Sequence, residues 1–237
     1  MPSTAATSVR SDYVISIADT QEEIRAAQRL RHRVLADEPG EDGFDERADH
    51  LIVTHTTTGD VVGTCRLLPP GRTGLSRADA AFDLSSLRAV RPLTVEADRC
   101  CVHPDHRRGA VLHLLWSGLA RYLLLSGRRY LAARACVPLA DGGRAAAVAW
   151  RLGATEYAAP AAHRVRPHRP WTPPGPAEGV PDRTLLPPLL RGCLRLGARV
   201  CGPPAHDPHS DTADFFVLLD LDRLDDRHRR HLLGETR

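Results

Sequence analysis

Leu93-Thr-Val-Glu-Ala-Asp-Arg-Cys-Cys-Val-His-Pro-Asp-His-Arg-Arg-Gly-Ala110 is the stretch that decides how this chain folds. Thr94 and Val95 open it and Cys100, Cys101 and Val102 close it, a composition that predicts a core strand. Proline cannot continue a strand ladder, so His103-Pro-Asp105 predicts a turn or the first turn of a helix. From Val111 to Leu125 the chain is apolar on most of a helical circumference, which predicts a buried helix. Glu96, Asp98 and Arg99 fall inside the strand. Buried charges are costly unless paired, and three in one core strand mark a candidate site.

Outward from this unit the pattern alternates between strands and helices. Tyr13 to Ala18 predicts a strand, and Asp19 or Thr20 can cap a helix running to about Asp37. His50–His55 and Val61–Leu68 predict a hairpin. Residues 69–91 are irregular, with a short helix expected around 78–87. Tyr130–Val137 predicts another core strand. Residues 140–152 predict an alanine-rich helix, stopped by Gly153 in a left-handed conformation. Nine prolines between 158 and 188 predict an extended loop or flap. A helix at 185–198, a strand at 215–220 and a solvated terminal helix from Asp225 complete the chain. The division expected is a loose tail at 1–11 and one domain at 12–237, with residues 189–237 as its C-terminal extension.

Composition narrows the function classes. The chain has 237 residues, 42% hydrophobic and 26% charged, enough to bury a full core. A net charge of +3 without a basic block, and only 5% aromatic residues, argue against nucleic acid as a partner. All 32 basic residues are arginine, which excludes lysine as base or nucleophile. The six cysteines lack paired Cys/His ligand spacing, so no metal is expected. Five of them fall in predicted strands or helices, as buried thiols in a reducing cytosol would. The first residues contain no apolar run, so no signal peptide is expected. The most apolar stretch, from Ala110 to Leu125, is too short to span a bilayer. The expected location is cytoplasmic, with a peripheral contact to the inner face of the membrane allowed.

Val102-His-Pro-Asp-His-Arg-Arg-Gly-Ala110 resembles the acyl-donor-binding turn of the GNAT N-acyltransferases. More narrowly, Glu96-Ala-Asp-Arg-Cys-Cys-Val-His-Pro-Asp-His-Arg107 resembles the E-x-x-R-S-C-V-H-P-D-x-R run of the ornithine-lipid N-acyltransferases, relatives of the acyl-homoserine-lactone synthases. Further matches run from Leu30-Arg-His-Arg-Val34 to Thr212-Ala-Asp-Phe-Phe-Val-Leu-Leu219, covering about residues 20 to 233. The resemblance implies a mixed α/β fold with a central mixed sheet flanked by helices. It also implies transfer of a fatty acyl group to the α-amino group of an ornithine-like amino acid. An acyl-homoserine-lactone synthase, an acetyl-CoA N-acetyltransferase and a non-catalytic carrier-binding module are the alternatives.

Amide formation from a thioester needs a neutral amine, a polarised carbonyl and a donor held in line. Glu96 is the base candidate, because it shares a strand face with Asp98 and a crowded, half-buried carboxylate is readily tuned as a base. Arg99, on the opposite face, joins it in the catalytic set as an internal ion-pair member rather than an acid. Resemblance assigns the carbonyl to backbone amides near Cys101 and Val102, and a cysteine nucleophile is the weaker choice. Arg31, Asp45, Asp49 and Arg66 match charged positions around an amino-acid-like substrate; Arg66, inside an otherwise apolar strand, is the most telling. Arg107, Arg108 and Gly109 match the donor turn. The turn keeps one glycine, with Val111 where a small residue is usual. Such a cradle suits the single phosphate of acyl-phosphopantetheine on an acyl carrier protein, with acyl-CoA the other donor and no tightly bound cofactor. Arg128 and Arg129 complete a basic rim expected to meet the acidic carrier. Leu35, Asp98, Cys100 and Cys193 depart from the family pattern.

Overall fold

A computed structural model describes residues 12–35, 43–71, 77–107, 109–173, 175 and 180–224. The tail at 1–11, Arg108 and the terminal helix expected from Asp225 lie outside the described residues. The element order is β1 (Tyr13–Ile17), α1 (Gln21–Leu35), β2 (Asp49–His55), β3 (Val61–Leu68), β4 (Phe82–Asp83), β5 (Thr94–Val102), α2 (Ala110–Leu125) and β6 (Tyr130–Pro138). It continues with α3 (Arg144–Ala154), β7 (Arg166–Pro167), α4 (Pro188–Arg195), β8 (Arg199–Val200), β9 (Ala205–Asp207) and β10 (Thr212–Asp220).

The main sheet has eight strands in the order β1-β2-β3-β5-β6-β10-β8, and β9 also pairs with β10. All of its strand pairs are antiparallel except β5 with β6. α2 is the connection that makes the parallel pair possible, returning the chain to the end at which β5 began. Apolar side chains on alternate strand positions divide the sheet into two faces. On one, Val111, Leu115, Leu119 and Leu123 of α2 press on Leu51, Val53, Leu67, Val95 and Ala97. α3 and α4 extend this layer over Phe215 and Val217. The other face carries α1 and, over β6 and β10, a cluster of Phe82, Leu84, Leu87, Val165 and Phe216.

Local chemistry accounts for the element ends. Thr20 Oγ1 accepts the Glu23 N–H at 3.2 Å while Glu23 Oε2 accepts the Thr20 and Asp19 N–H groups, a reciprocal cap on α1. The short helix expected at 78–87 is instead two 3₁₀ turns, Arg77–Ala80 and Ser85–Leu87, around β4. Gly153, expected to stop α3, lies inside it. A Cβ there would come within 2.9 Å of Val200, so this glycine serves close packing against β8. The proline-rich stretch is tied down where it is described: Val165 is buried and its N–H donates to Cys201 O, and β7 pairs with β4.

Candidate active site

β5 and β6 run in register from Thr94/Tyr130 to Ala97/Ala133 and pair no further. β5 stays on β3 as far as Val102, opposite Gly63, and β6 stays on β10 as far as Pro138. A gap therefore opens between two strands that begin as neighbours. On β3 one residue, Cys65, lies between Thr64 and Arg66, whereas two, Arg99 and Cys100, lie between their partners Cys101 and Asp98. This bulge puts Arg99 at φ +48°, a rare conformation for a residue with a side chain. The N–H of His103 donates to Val62 O at 2.8 Å, toward β3. Successive amides of a strand point to opposite neighbours, so the N–H of Val102 faces the gap and that of Cys101 faces β3. Past the gap, Arg107 is exposed and Gly109, at φ +95°, leads into α2. Arg33 Nη1 donates to His103 Nε2 at 3.0 Å, which adds a second arginine to this turn.

Glu96 lies one residue before the gap, opposite Ala132. It is 5% exposed and lines a cavity of about 530 Å³ together with Leu68, Leu84, Leu87, Ala132 and Phe216. Its Oε1 accepts the N–H of Ala78 at 3.0 Å, so the 3₁₀ turn at 77–80 fixes the carboxylate. Arg88, Arg91, Pro92 and Arg128 line the same cavity, and Arg88 and Pro92 are exposed, so it opens at the end where β5 and β6 begin. An ammonium at Glu96 and a carboxylate near these arginines would fill it with complementary charge.

Arg31, Asp45 and Arg66 come together on the same sheet face, beside β5. Arg66 is 0% exposed; its Nε and Nη2 donate to the two oxygens of Asp98 at 2.8 and 2.7 Å, and its Nη1 donates to Asp45 Oδ1 at 2.8 Å. Arg31 Nη2 and Gln28 Nε2 donate to Asp45 Oδ2 at 2.6 and 2.8 Å. His50 donates from Nε2 to Asp45 O at 3.1 Å and accepts from Arg31 Nη1 at Nδ1, a geometry that requires neutral imidazole. Burial is the largest influence on His50 and pushes its pKa down. Burial pushes Asp45 up, but bonds from Gln28 and Arg66 and the nearby guanidinium charges outweigh it and hold the carboxyl below its usual range. Arg66, expected to grip an acceptor carboxylate, thus ties two aspartates together behind the cavity.

Other expected members lie apart from this group. Asp49 accepts from the hydroxyl of Tyr122 on α2, on the opposite sheet face from His50. The bulge breaks the alternation from which Arg99 was expected on the far side, and its charge acts on Arg31. Arg128 and Arg129 do not join the turn at Arg107 and Gly109: α2 has 16 residues and carries the chain about 24 Å away. There Arg128 Nη1 donates to Pro92 O and the N–H of Arg129 donates to Leu93 O. Cys65 and Cys100, expected as buried thiols, form a disulfide, because the bulge sets Cys100 beside Cys65. Burial pushes the Cys101 thiol up to about 12. Iodoacetamide at pH 8 followed by peptide mass spectrometry is therefore expected to modify exposed Cys136 and leave Cys101 unlabelled. Labelling of Cys101 at a comparable rate would restore it as a nucleophile.

Sequence patterns left out Ala78, whose contribution is a backbone N–H, and Arg88 and Arg91, which follow and open short 3₁₀ turns in a stretch without periodic patterning. His50 had a usable signal, a polar residue facing Arg66 across the hairpin.

The Acetyltransferase (GNAT) domain family matches residues 22–117. The chain is 32% identical to an L-ornithine N(alpha)-acyltransferase of Rhodobacter capsulatus, over 92% of this chain and 93% of that protein. It is 30% identical to a protein of the same name from Brucella abortus, over 90% and 86% respectively. Among solved structures, the AHL synthase LasI is similar with a TM-score of 0.54 at 14% identity, over 96% of this chain and 100% of that one. FeeM, an N-acyl amino acid synthase from uncultured soil microbes, is similar with a TM-score of 0.53 at 13% identity, over 89% and 91%.

Proposed function

The chain belongs to the L-ornithine N(alpha)-acyltransferase family and is an acyltransferase built on a GNAT domain, and from that premise we propose its donor, acceptor and base. The donor is a fatty acyl group on the phosphopantetheine of an acyl carrier protein, and the acceptor is the α-amino group of an amino acid, ornithine first. Glu96 at the inner end of the 530 Å³ cavity, one residue from the β5–β6 gap, is the observation that carries this. The two reactants then approach from opposite ends of β5, the donor by the turn at Arg107 and Gly109 and the acceptor by Arg88, Arg91 and Arg128.

The thioester carbonyl, held in the gap, is polarised by the N–H of Val102. Glu96 takes a proton from the acceptor ammonium, the neutral amine adds to the carbonyl, and the tetrahedral intermediate expels the thiolate. The second amine proton goes to that thiolate, leaving an amide and a free thiol. Arg31, Asp45, Arg66 and Asp98 act here as the frame that fixes β3 on β5. The apolar wall of Leu68, Leu84, Leu87 and Phe216 packs the methylene stem of the acceptor, each buried methylene contributing about 0.8 kcal/mol.

The test compares long-chain acyl carrier protein with acetyl-CoA, using ornithine, at two salt concentrations. The carrier-bound donor is expected to win by at least about tenfold in kcat/KM, and to lose rate as salt screens Arg33 and Arg107 from the acidic carrier. Equal use of acetyl-CoA would overturn the proposal.

A further inference from the structure

We propose that Leu93, Leu124 and Leu125, with the arginines around them, form a docking surface for an anionic lipid bilayer at the mouth of the Glu96 cavity. The three leucines are 42%, 45% and 79% exposed. They converge because the N–H of Arg129 bonds Leu93 O and the N–H of Arg128 bonds Leu123 O, closing the end of α2 onto the start of β5. Arg121 is exposed one turn before Leu125, on the same helical face. Arg88 and Arg128 line the cavity beside them.

The charge around the leucines is unbalanced. Arg129 is held by Asp220 and Asp222, and Arg91 by Asp79. Three aspartates are thus counted against five arginines, Arg88, Arg91, Arg121, Arg128 and Arg129, so the surface keeps a positive excess. Exposed leucines rimmed by arginines suit the interface of a bilayer with anionic headgroups, where apolar side chains enter the acyl boundary and guanidinium groups meet phosphate. Among the described residues no helix is long and apolar enough to cross a membrane.

Position gives the surface a purpose, on the premise that the product is an acylated amino acid. The donor turn lies at the other end of β5, roughly 26 Å away at 3.3 Å per residue. A carrier protein at one end and a bilayer at the other do not compete. The amphiphilic product leaves the cavity directly into lipid.

The test is sedimentation of the full chain with phosphatidylcholine vesicles, pure or containing about a third phosphatidylglycerol. Partition into the anionic vesicles is expected to be at least about tenfold greater and to weaken with salt. Leu124→Ser/Leu125→Ser is expected to remove most of it, while turnover of soluble acyl carrier protein and ornithine stays unchanged. Arg121→Glu, which leaves the apolar residues in place, is expected to weaken anionic binding alone. Equal binding to both vesicle types, or undiminished binding by the leucine variant, would overturn the surface. So would a concentration-dependent dimer that the leucine variant abolishes, because the leucines would then meet a second copy. Anionic binding without acyl transfer would remove the proposed function and leave the surface standing.

Discussion

Replacing Glu96 with glutamine is expected to lower kcat for acyl transfer by roughly two decades or more, with the fold intact. The side chains have the same shape, and a glutamine carbonyl oxygen can still accept the Ala78 N–H that Glu96 Oε1 accepts at 3.0 Å. The change removes the capacity to take a proton from the acceptor, together with the charge that faces its ammonium. Because the amine must be neutral to attack, the loss should appear in kcat and kcat/KM alike, and donor KM should change little. Raising the pH should restore part of the rate to the variant, since the acceptor then arrives deprotonated from solution. Thermal unfolding within about 1 kcal/mol of the parent would show that the change is chemical. A variant keeping more than about a tenth of the parent kcat would exclude Glu96 as the essential base. A pH profile identical to the parent's would do the same.

What the sequence made legible was local. The strand, turn and helix from Thr94 to Leu125 were legible because proline, branched residues and an apolar helix act through neighbours in the chain. Glu96 stood out for a related reason, a charge inside a core strand. The β5–β6 gap was not legible, because it depends on where a parallel register ends, a matter of residues about 36 apart in the chain. The bulge at Arg99 and Cys100 has the same origin, and it changed the expected side of Arg99 and the state of Cys65. Arg128 and Arg129 follow the donor turn in sequence by one helix length, which in space puts them at the opposite end of the sheet. Arg66 was visible as an anomaly, yet its partner depended on the hairpin register that sets it opposite His50 and on the β3–β5 register that sets it opposite Asp98.

That register makes Arg66→Met the substitution with the largest expected effect on stability. Methionine fills much of the space but leaves Asp45 and Asp98 buried without the guanidinium that bonds both. Arg31 still reaches Asp45 at 2.6 Å, whereas Arg77 stands 3.8 Å from Asp98. Breaking a buried pair from one side typically destabilises by about 3–5 kcal/mol, which in a chain of this size lowers Tm by roughly 6–20 °C. The pH dependence has a fixed sign. The folded pKa of Asp45 is depressed, so its stabilising contribution is complete above the unfolded value of about 3.9 and is lost as pH falls through the folded value. His50 is depressed too, so protonation in the unfolded chain begins to lower stability below about 6.5. Without Arg66, Asp45 loses two of the influences that hold it low, so acid unfolding should begin at higher pH than in the parent. Arg66→Met/Asp98→Leu should recover part of the loss, because the stranded carboxylate is gone. Denaturant titrations of the three proteins across the acid range measure all of this. A loss below about 1 kcal/mol, accompanied by a rise in acceptor KM alone, would return Arg66 to the acceptor carboxylate.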